Sequence, residues 1–262
     1  MGMNSTSSIR DAVILASGKG LRLRNEVYDC SKPMTPILGK PLISYTIDSL
    51  INCGVNNIVV VYHSSSVDLL NIGKYNRNYK DVISFVEDTK QIGKLTAFYC
   101  AKDLVDSPFL LTYGDVVVKK EDFKDMLNLA LQLTDKNPDL AVQTVEKPSI
   151  PVKEPFEKPM LVQNGRIIKW KKEGAVIDAE IQGSEIKAGA MVYLWFKNPF
   201  PLMANFLQSG NFKYSVFLEK FVPTHIVFEM PVRDMWDIDV PENISHTERI
   251  LQDIPITVEN SR

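Results

Sequence analysis

Residues 11–16 form a short apolar run (Asp11-Ala12-Val13-Ile14-Leu15-Ala16) that stops at Ser17-Gly18-Lys19-Gly20. A run of this length ended by glycines reads as a buried strand entering a tight loop. The next two elements fix the class. From Pro41 to Cys53 the apolar positions Leu42, Ile43, Tyr45, Ile47, Leu50 and Ile51 recur at roughly helical spacing, and Gly54 supplies a C-terminal stop. Ile58-Val59-Val60-Val61-Tyr62 is then a continuous β-branched run, as expected of a parallel strand covered on both faces. Strand, helix and strand make one βαβ unit.

The alternation continues with strands expected near 82–86, 109–113 and 140–144 and helices near 95–103 and 121–133. This pattern predicts a wound, Rossmann-like three-layer αβα fold with a mixed, mostly parallel central sheet. After Val145 the texture changes. Pro148, Pro151, Pro155 and Pro159 punctuate a stretch too proline-rich for helix, and Asn164-Gly165 between the runs 160–163 and 166–170 signals a hairpin with a type I′ turn. A strand at 191–196, helices near 201–208 and 214–221, a strand at 225–229 and a terminal helix from about Pro241 complete the chain. We therefore expect a flexible N-terminus over 1–10 and one domain over 11–262. Its parts are a main body to about 145, a small antiparallel elaboration over about 146–196, and a return to the main body. In such sheets ligands bind at the carboxyl ends of parallel strands, which directs attention to the loops after Ala16, Glu87 and Tyr113.

Composition narrows the partners. Thirty basic against 32 acidic residues leave a net charge of −2, which gives no global attraction for nucleic-acid phosphates. Cys30, Cys53 and Cys100 are odd in number and widely spaced, so neither a disulfide framework nor a metal knuckle is expected. His63, His225 and His246 share no ligand-like spacing. The apolar runs are strand-sized, far short of the ~20 residues that cross a bilayer. With no signal-peptide core the expected compartment is the cytoplasm; a homo-oligomer is compatible with the sequence.

The chemistry gathers at three places. A glycine loop directly after the first strand lets backbone N–H groups converge on phosphate oxygens. Leu23 stands where a dinucleotide fingerprint needs its third glycine, Tyr62-His63 where it needs an acid, and a Walker loop is absent too. Between Arg10 and Lys40 there are six basic residues (Arg10, Lys19, Arg22, Arg24, Lys32, Lys40) against three acidic ones (Asp11, Glu26, Asp29), so the loop is locally cationic. Gly114-Asp115 follows the strand at 109–113, where a carboxylate suits a divalent cation that bridges phosphates. In Trp236-Asp237-Ile238-Asp239-Val240-Pro241-Glu242, Asp237 and Asp239 share a face if extended, while Asp239 could instead cap the helix begun by Pro241.

Taken together, Leu15-Ala16-x-Gly18-x-Gly20-x-Arg22-Leu23, Lys32-Pro33, Gly39-Lys40-Pro41-Leu42-Ile43, Gly114-Asp115 and Trp236-Asp237-x-x-x-Pro241-Glu242 resemble the nucleotidyltransferases that join an NTP to a sugar 1-phosphate or polyol phosphate. The resemblance implies a GT-A-like fold and a Mg²⁺-dependent reaction that releases pyrophosphate. Carried over by position, Arg22 would hold the departing pyrophosphate and Lys32 the reacting phosphates. Asp115 and Asp237 would ligate the metal, with Asp239 a further candidate ligand. Leu15, Ala16, Ser17, Gly18, Lys19, Gly20, Asp88 and Gly93 would surround the nucleotide, and Lys172 and Gly189 the acceptor.

The sequence also departs from the family pattern. Leu21 stands where Thr or Ser is usual, Ser31 replaces the usual proline before the lysine, and Gly93-Lys94-Leu95 replaces Gly-Thr-Ala. The basic run Lys169-Trp170-Lys171-Lys172 after the hairpin, which reads equally well as a solvated strand face, and the Asp-Ile-Asp variant are more similar to the polyol-phosphate cytidylyltransferase branch. A non-catalytic regulatory or nucleotide-sugar-binding member of the same fold is the alternative.

Overall fold

The computed structural model describes residues 9–18, 29–117, 120–145, 159–171, 181–232, 236–238 and 241–252. Its strands are β1 (Asp11–Leu15), β2 (Pro36–Ile37), β3 (Lys40–Pro41), β4 (Asn57–Tyr62), β5 (Ile83–Glu87), β6 (Phe109–Tyr113), β7 (Val116–Val117), β8 (Leu140–Val145), β9 (Pro159–Gln163), β10 (Arg166–Trp170), β11 (Ser184–Trp195), β12 (Val227–Pro231) and β13 (Trp236–Asp237). The α-helices are α1 (Leu42–Asn52), α2 (Tyr79–Val82), α3 (Lys94–Tyr99), α4 (Lys120–Leu133), α5 (Phe200–Gln208), α6 (Tyr214–Phe221) and α7 (Pro241–Gln252).

Nine strands form one sheet in the order β5-β4-β1-β6-β11-β8-β12-β10-β9. β5, β4, β1 and β6 pair in parallel, as do β8 and β12. β10 and β11 run against the other seven, so the sheet is mixed and mostly of one direction. β6 and β8 are buried at every position and β1 at all but its first, which requires cover on both faces. That cover comes from two helix groups, α1 against α4 and α3 against α5 and α6. Aromatic side chains fill the second interface: Phe98 packs edge-on to Phe200 at 5.2 Å and to Tyr214 at 5.7 Å, and Phe109 stacks on Phe200 at 5.8 Å. The expected three-layer α/β architecture is the observed one.

The expected hairpin is present. Asn164 (φ 52°) and Gly165 (φ 74°) both occupy the left-handed region that a type I′ turn demands, and Arg166 faces Gln163 across it. Three expected spans need correction. The helix near 95–103 ends at Tyr99; Ala101, Lys102 and Leu104 continue it as tighter turns with three-residue hydrogen bonds. β11 begins seven residues before the expected Met191, because its first half pairs with β9 while its end pairs with β6 and β8. The strand expected from His225 starts at Val227: the His225 ring stacks on Phe221 at 3.7 Å and the Ile226 N–H donates to the Asp139 carboxylate at 2.7 Å.

A second, small apolar cluster of Ile37, Leu42, Val117, Ile238 and Ile244 joins the β2–β3 hairpin, α1, β7, the residue after β13, and α7. It lies beside the carboxyl end of β6 and braces what protrudes there. Among the described residues no disulfide joins Cys30, Cys53 and Cys100. Among the described residues no helix is long and apolar enough to cross a membrane.

Candidate active site

The parallel register sets the first component. Leu15 at the end of β1 faces Val61 of β4 and Tyr113 of β6. Beyond it, the Ala16 N–H donates to Val61 O (2.8 Å) and the Gly114 N–H donates to Leu15 O (3.0 Å). The glycine loop and Gly114-Asp115 therefore leave the sheet side by side. Leu15, Ala16 and Ser17 are buried, and no described atom lies within 4 Å of where a Cβ on Gly18 would stand. Lys19, Gly20 and Arg22 lie outside the described residues.

Gly114 shows why glycine precedes the acid. A Cβ there would stand 3.1 Å from Ala16 Cβ and 3.2 Å from Pro33 Cγ. Pro33 belongs to a 3₁₀ turn over Lys32–Met34, held by the Thr35 N–H donating to Lys32 O and by the Ser31 N–H donating to Asp68 Oδ2 at 2.7 Å. That turn delivers Lys32 to Asp115, with Nζ donating to Oδ2 at 2.6 Å. Lys32 is 10% exposed and Asp115 28%, so the carboxylate retains an open side.

The final motif arrives at the same point through β13. Asp237 pairs with Val116 and Trp236 with Val117, and the Ile238 N–H donates to the Asp115 carbonyl at 3.1 Å. The backbone thus brings Asp237 alongside the residue after Asp115. Asp239, as ligand or as cap, lies outside the described residues.

On the β5 side, buried Asp88 donates its N–H to Tyr62 O (2.7 Å), and its Oδ1 accepts from the Gln91 N–H (3.0 Å). Gln91 Nε2 in turn donates to Ser17 O at 2.7 Å, tying this loop to the glycine loop. Gln91 escaped the sequence reading, since a lone glutamine in a polar loop carries no periodic signal. Gly93 has a plain steric role: a Cβ there would come within 2.3 Å of the Phe212 carbonyl oxygen.

On the opposite flank Gly189 pairs with Thr144 within β11 and β8. Trp170 is buried at the end of β10, and Lys171 pairs with Glu219 at 3.4 Å. Lys172 lies outside the described residues. The structure thus gathers Leu15–Gly18, Lys32, Asp88, Asp115 and the backbone of Asp237 at the carboxyl ends of the parallel strands, with Gly93 and Gly189 on the two flanks.

The nucleotidyl transferase family model matches residues 11–153, more than half of the chain. Bifunctional protein GlmU of Methanococcus maripaludis is 27% identical over 96% of the chain, which spans 58% of that relative's length. UTP–glucose-1-phosphate uridylyltransferase AglF of Haloferax volcanii is 34% identical over 40% of this chain and 42% of its own. Among solved structures, the inositol-1-phosphate CTP transferase from T. maritima superposes with a TM-score of 0.75 over 96% of this chain and 98% of that one, at 24% identity.

Proposed function

Because the chain belongs to the nucleotidyl transferase family, we propose that it joins the nucleoside monophosphate of an NTP to a small phosphorylated acceptor and releases pyrophosphate. The observation that carries this reading is the convergence of Lys32, Asp115 and β13 beside the glycine loop. In the reaction an acceptor phosphate oxygen attacks the α-phosphorus, that P–O bond forms, and the bond to the β-phosphate breaks. Both reactants are anions, so the chain's task is to neutralise repulsion and hold the two in line. Lys32 supplies an ammonium at the reacting phosphates, and Arg22 is assigned to the departing pyrophosphate.

The donor set fits Mg²⁺. Asp115 offers hard carboxylate oxygens with an open side, Asp237 is adjacent through β13, and among the described residues no group of three or more His, Cys, Asp and Glu forms a protein-only cage. One or two carboxylates with substrate phosphates filling the remaining positions is the usual arrangement for this ion. Bound there, it would supply charge neutralisation at the phosphate oxygens.

For the pair of substrates we favour CTP with a polyol phosphate. The Asp237-Ile238-Asp239 variant and the position of Lys172 support that choice, as does the likeness in fold to an inositol-1-phosphate CTP transferase. Melting curves with each of the four NTPs and Mg²⁺ test it, because stabilisation grows with ligand concentration over Kd, reaching about 2.7 kcal/mol at 100 Kd. CTP should give the largest shift, and pyrophosphate release should then appear with inositol 1-phosphate before glucose 1-phosphate. Asp115→Asn should lower turnover by about 10²–10³ with the fold retained. No shift with any NTP overturns the reading.

A further inference from the structure

The 3₁₀ turn that carries Lys32 is fastened by a residue from another element. Its N-cap, Ser31, has φ −67° and ψ 151°, makes no side-chain cap, and has a buried hydroxyl without a hydrogen-bond partner. The hydroxyl therefore does nothing to hold the turn. The backbone N–H does, donating at 2.7 Å to Oδ2 of Asp68, 37 residues along the chain.

Asp68 is itself well seated. It belongs to the 3₁₀ segment Ser64–Lys74, which follows β4 at the carboxyl end of that strand. Leu69 and Ile72, three apart and so on one face of such a helix, are buried in the main core. At the start of the segment the Ser65 N–H donates to His63 Nδ1 at 3.2 Å and the Ser66 N–H donates to His63 O at 2.7 Å. Half-buried Asp68, one position before Leu69, is thus presented to the turn from a fixed support.

Within the turn the Met34 N–H donates to Ser31 O at 2.8 Å and the Thr35 N–H donates to Lys32 O at 3.1 Å, while the Leu42 N–H donates to Thr35 O at 2.9 Å and ties the far end to α1. The near end is tied by Asp68. Lys32 follows directly on that tied residue, and its ammonium reaches Asp115 Oδ2 at 2.6 Å. A lysine side chain has ample rotamer freedom, so its ammonium is placed no better than the backbone from which it springs.

We propose that Asp68 is a positioning residue for the transfer: by holding the Ser31 N–H it sets the turn from which Lys32 reaches Asp115 and the reacting phosphates. The proposal rests on the role of Lys32 in the nucleotidyl transfer assigned to this chain. It also gives a physical reason for Ser31, where the resemblance leads one to expect proline, because proline has no N–H to offer Asp68.

Asp68→Ala, Asp68→Asn, Ser31→Pro and the double variant Asp68→Ala/Ser31→Pro are compared with the unaltered chain in turnover and in amide exchange by NMR, with melting curves to check folding. Asp68→Ala should lower kcat by about 10–100-fold, the worth of a hydrogen bond to a charged group, while the NTP KM stays within about threefold. Asp68→Asn keeps an acceptor oxygen and should lose less. Proline prefers the φ that Ser31 already has, but its ring carbon takes the place of the amide hydrogen. Opposite Asp68 that carbon meets a carboxylate oxygen, so Ser31→Pro alone should also lower kcat. Without Asp68 the ring fixes the turn by itself, and the double variant should turn over at least about threefold faster than either single variant. The Met34 and Thr35 amides should exchange about tenfold faster in Asp68→Ala and slow again in the double variant. A folded Asp68→Ala protein with full kcat overturns the proposal, as does a double variant no faster than Asp68→Ala. Should Asp68→Ala fail to fold, a fall in kcat in both Asp68→Asn and Ser31→Pro upholds the proposal, and full kcat in either overturns it. Should the unaltered chain transfer no nucleotide, exchange still decides: turn amides released in Asp68→Ala and protected again in the double variant uphold the hold on the Lys32 turn and sink only the reaction, whereas unchanged exchange overturns that hold.

Discussion

Gly114 is the residue on which the site's geometry turns, because it lets a strand end, a 3₁₀ turn and a carboxylate meet. Replacing its hydrogen by a methyl group puts that methyl 3.1 Å from Ala16 Cβ and 3.2 Å from Pro33 Cγ, so one neighbour must give by a few tenths of an ångström. The strand end is fixed by hydrogen bonds to β4 and β6, so the Pro33 turn moves and takes Lys32 with it. Gly114→Ala should therefore lower stability by about 1–3 kcal/mol in urea unfolding, as overpacking does. It should lower turnover further, because the 2.6 Å contact between Lys32 and Asp115 is lost. Full turnover in this variant would mean that the close approach is unnecessary. The Gly-Asp pair was visible as a motif in the chain, but its steric reason was not, since Ala16 and Pro33 come from distant segments. Gln91 was hidden for the same cause: it acquires meaning only from a loop brought in by the fold.

At the scale of elements, what was legible came from local chemistry. The β9–β10 hairpin is the clearest case, since Asn164-Gly165 alone dictates its turn and register. Gly165 sits at φ 74°, where a Cβ costs about 1–2 kcal/mol, so Gly165→Ala should lower stability by about that amount in thermal or urea melts. Asn164→Gly should change it little, because both residues tolerate the left-handed region. Equal effects of the two substitutions would argue against a type I′ turn. Elements set by distant pairing were illegible. β7 and β13 are two residues each, too short for any periodicity, and exist because Val116-Val117 and Trp236-Asp237 find one another over the small Ile37–Ile244 cluster. The 3₁₀ segment Ser64–Lys74, which supplies Asp68 to the Lys32 turn, likewise gave no helical pattern to read.

Across the whole molecule, the two halves of the sheet are joined through β11, and a buried polar network sits where that strand changes partners. Lys187 of β11 donates to Glu229 of β12 at 2.9 Å, and the Thr144 hydroxyl of β8 donates to the same carboxylate oxygen at 2.9 Å. Glu185 stands 3.5 Å from the ammonium, and the Lys187 and Glu229 side chains are only 9% and 13% exposed. Glu185 and Lys187 precede the strand that the sequence predicts at 191–196, so nothing in the chain marks the pair. Burial by itself would lower the Lys187 pKa, but the hydrogen bond and charge of Glu229 outweigh it and hold the ammonium above its ordinary range. A raised folded-state value means that this contribution to stability is complete below about pH 10.4, the unfolded value, and is lost as pH rises through the folded one. Lys187→Met should cost about 3–5 kcal/mol at pH 8, because it leaves a buried carboxylate without its counter-charge. The signature that separates this from lost packing is relief by a second substitution. Pairing Lys187→Met with Glu229→Leu should restore most of the stability at pH 8, since removing both charges removes the desolvation cost. Urea unfolding of the three proteins at pH 8 reads both effects, and a Lys187→Met deficit that the second substitution does not relieve would place the cost in packing alone.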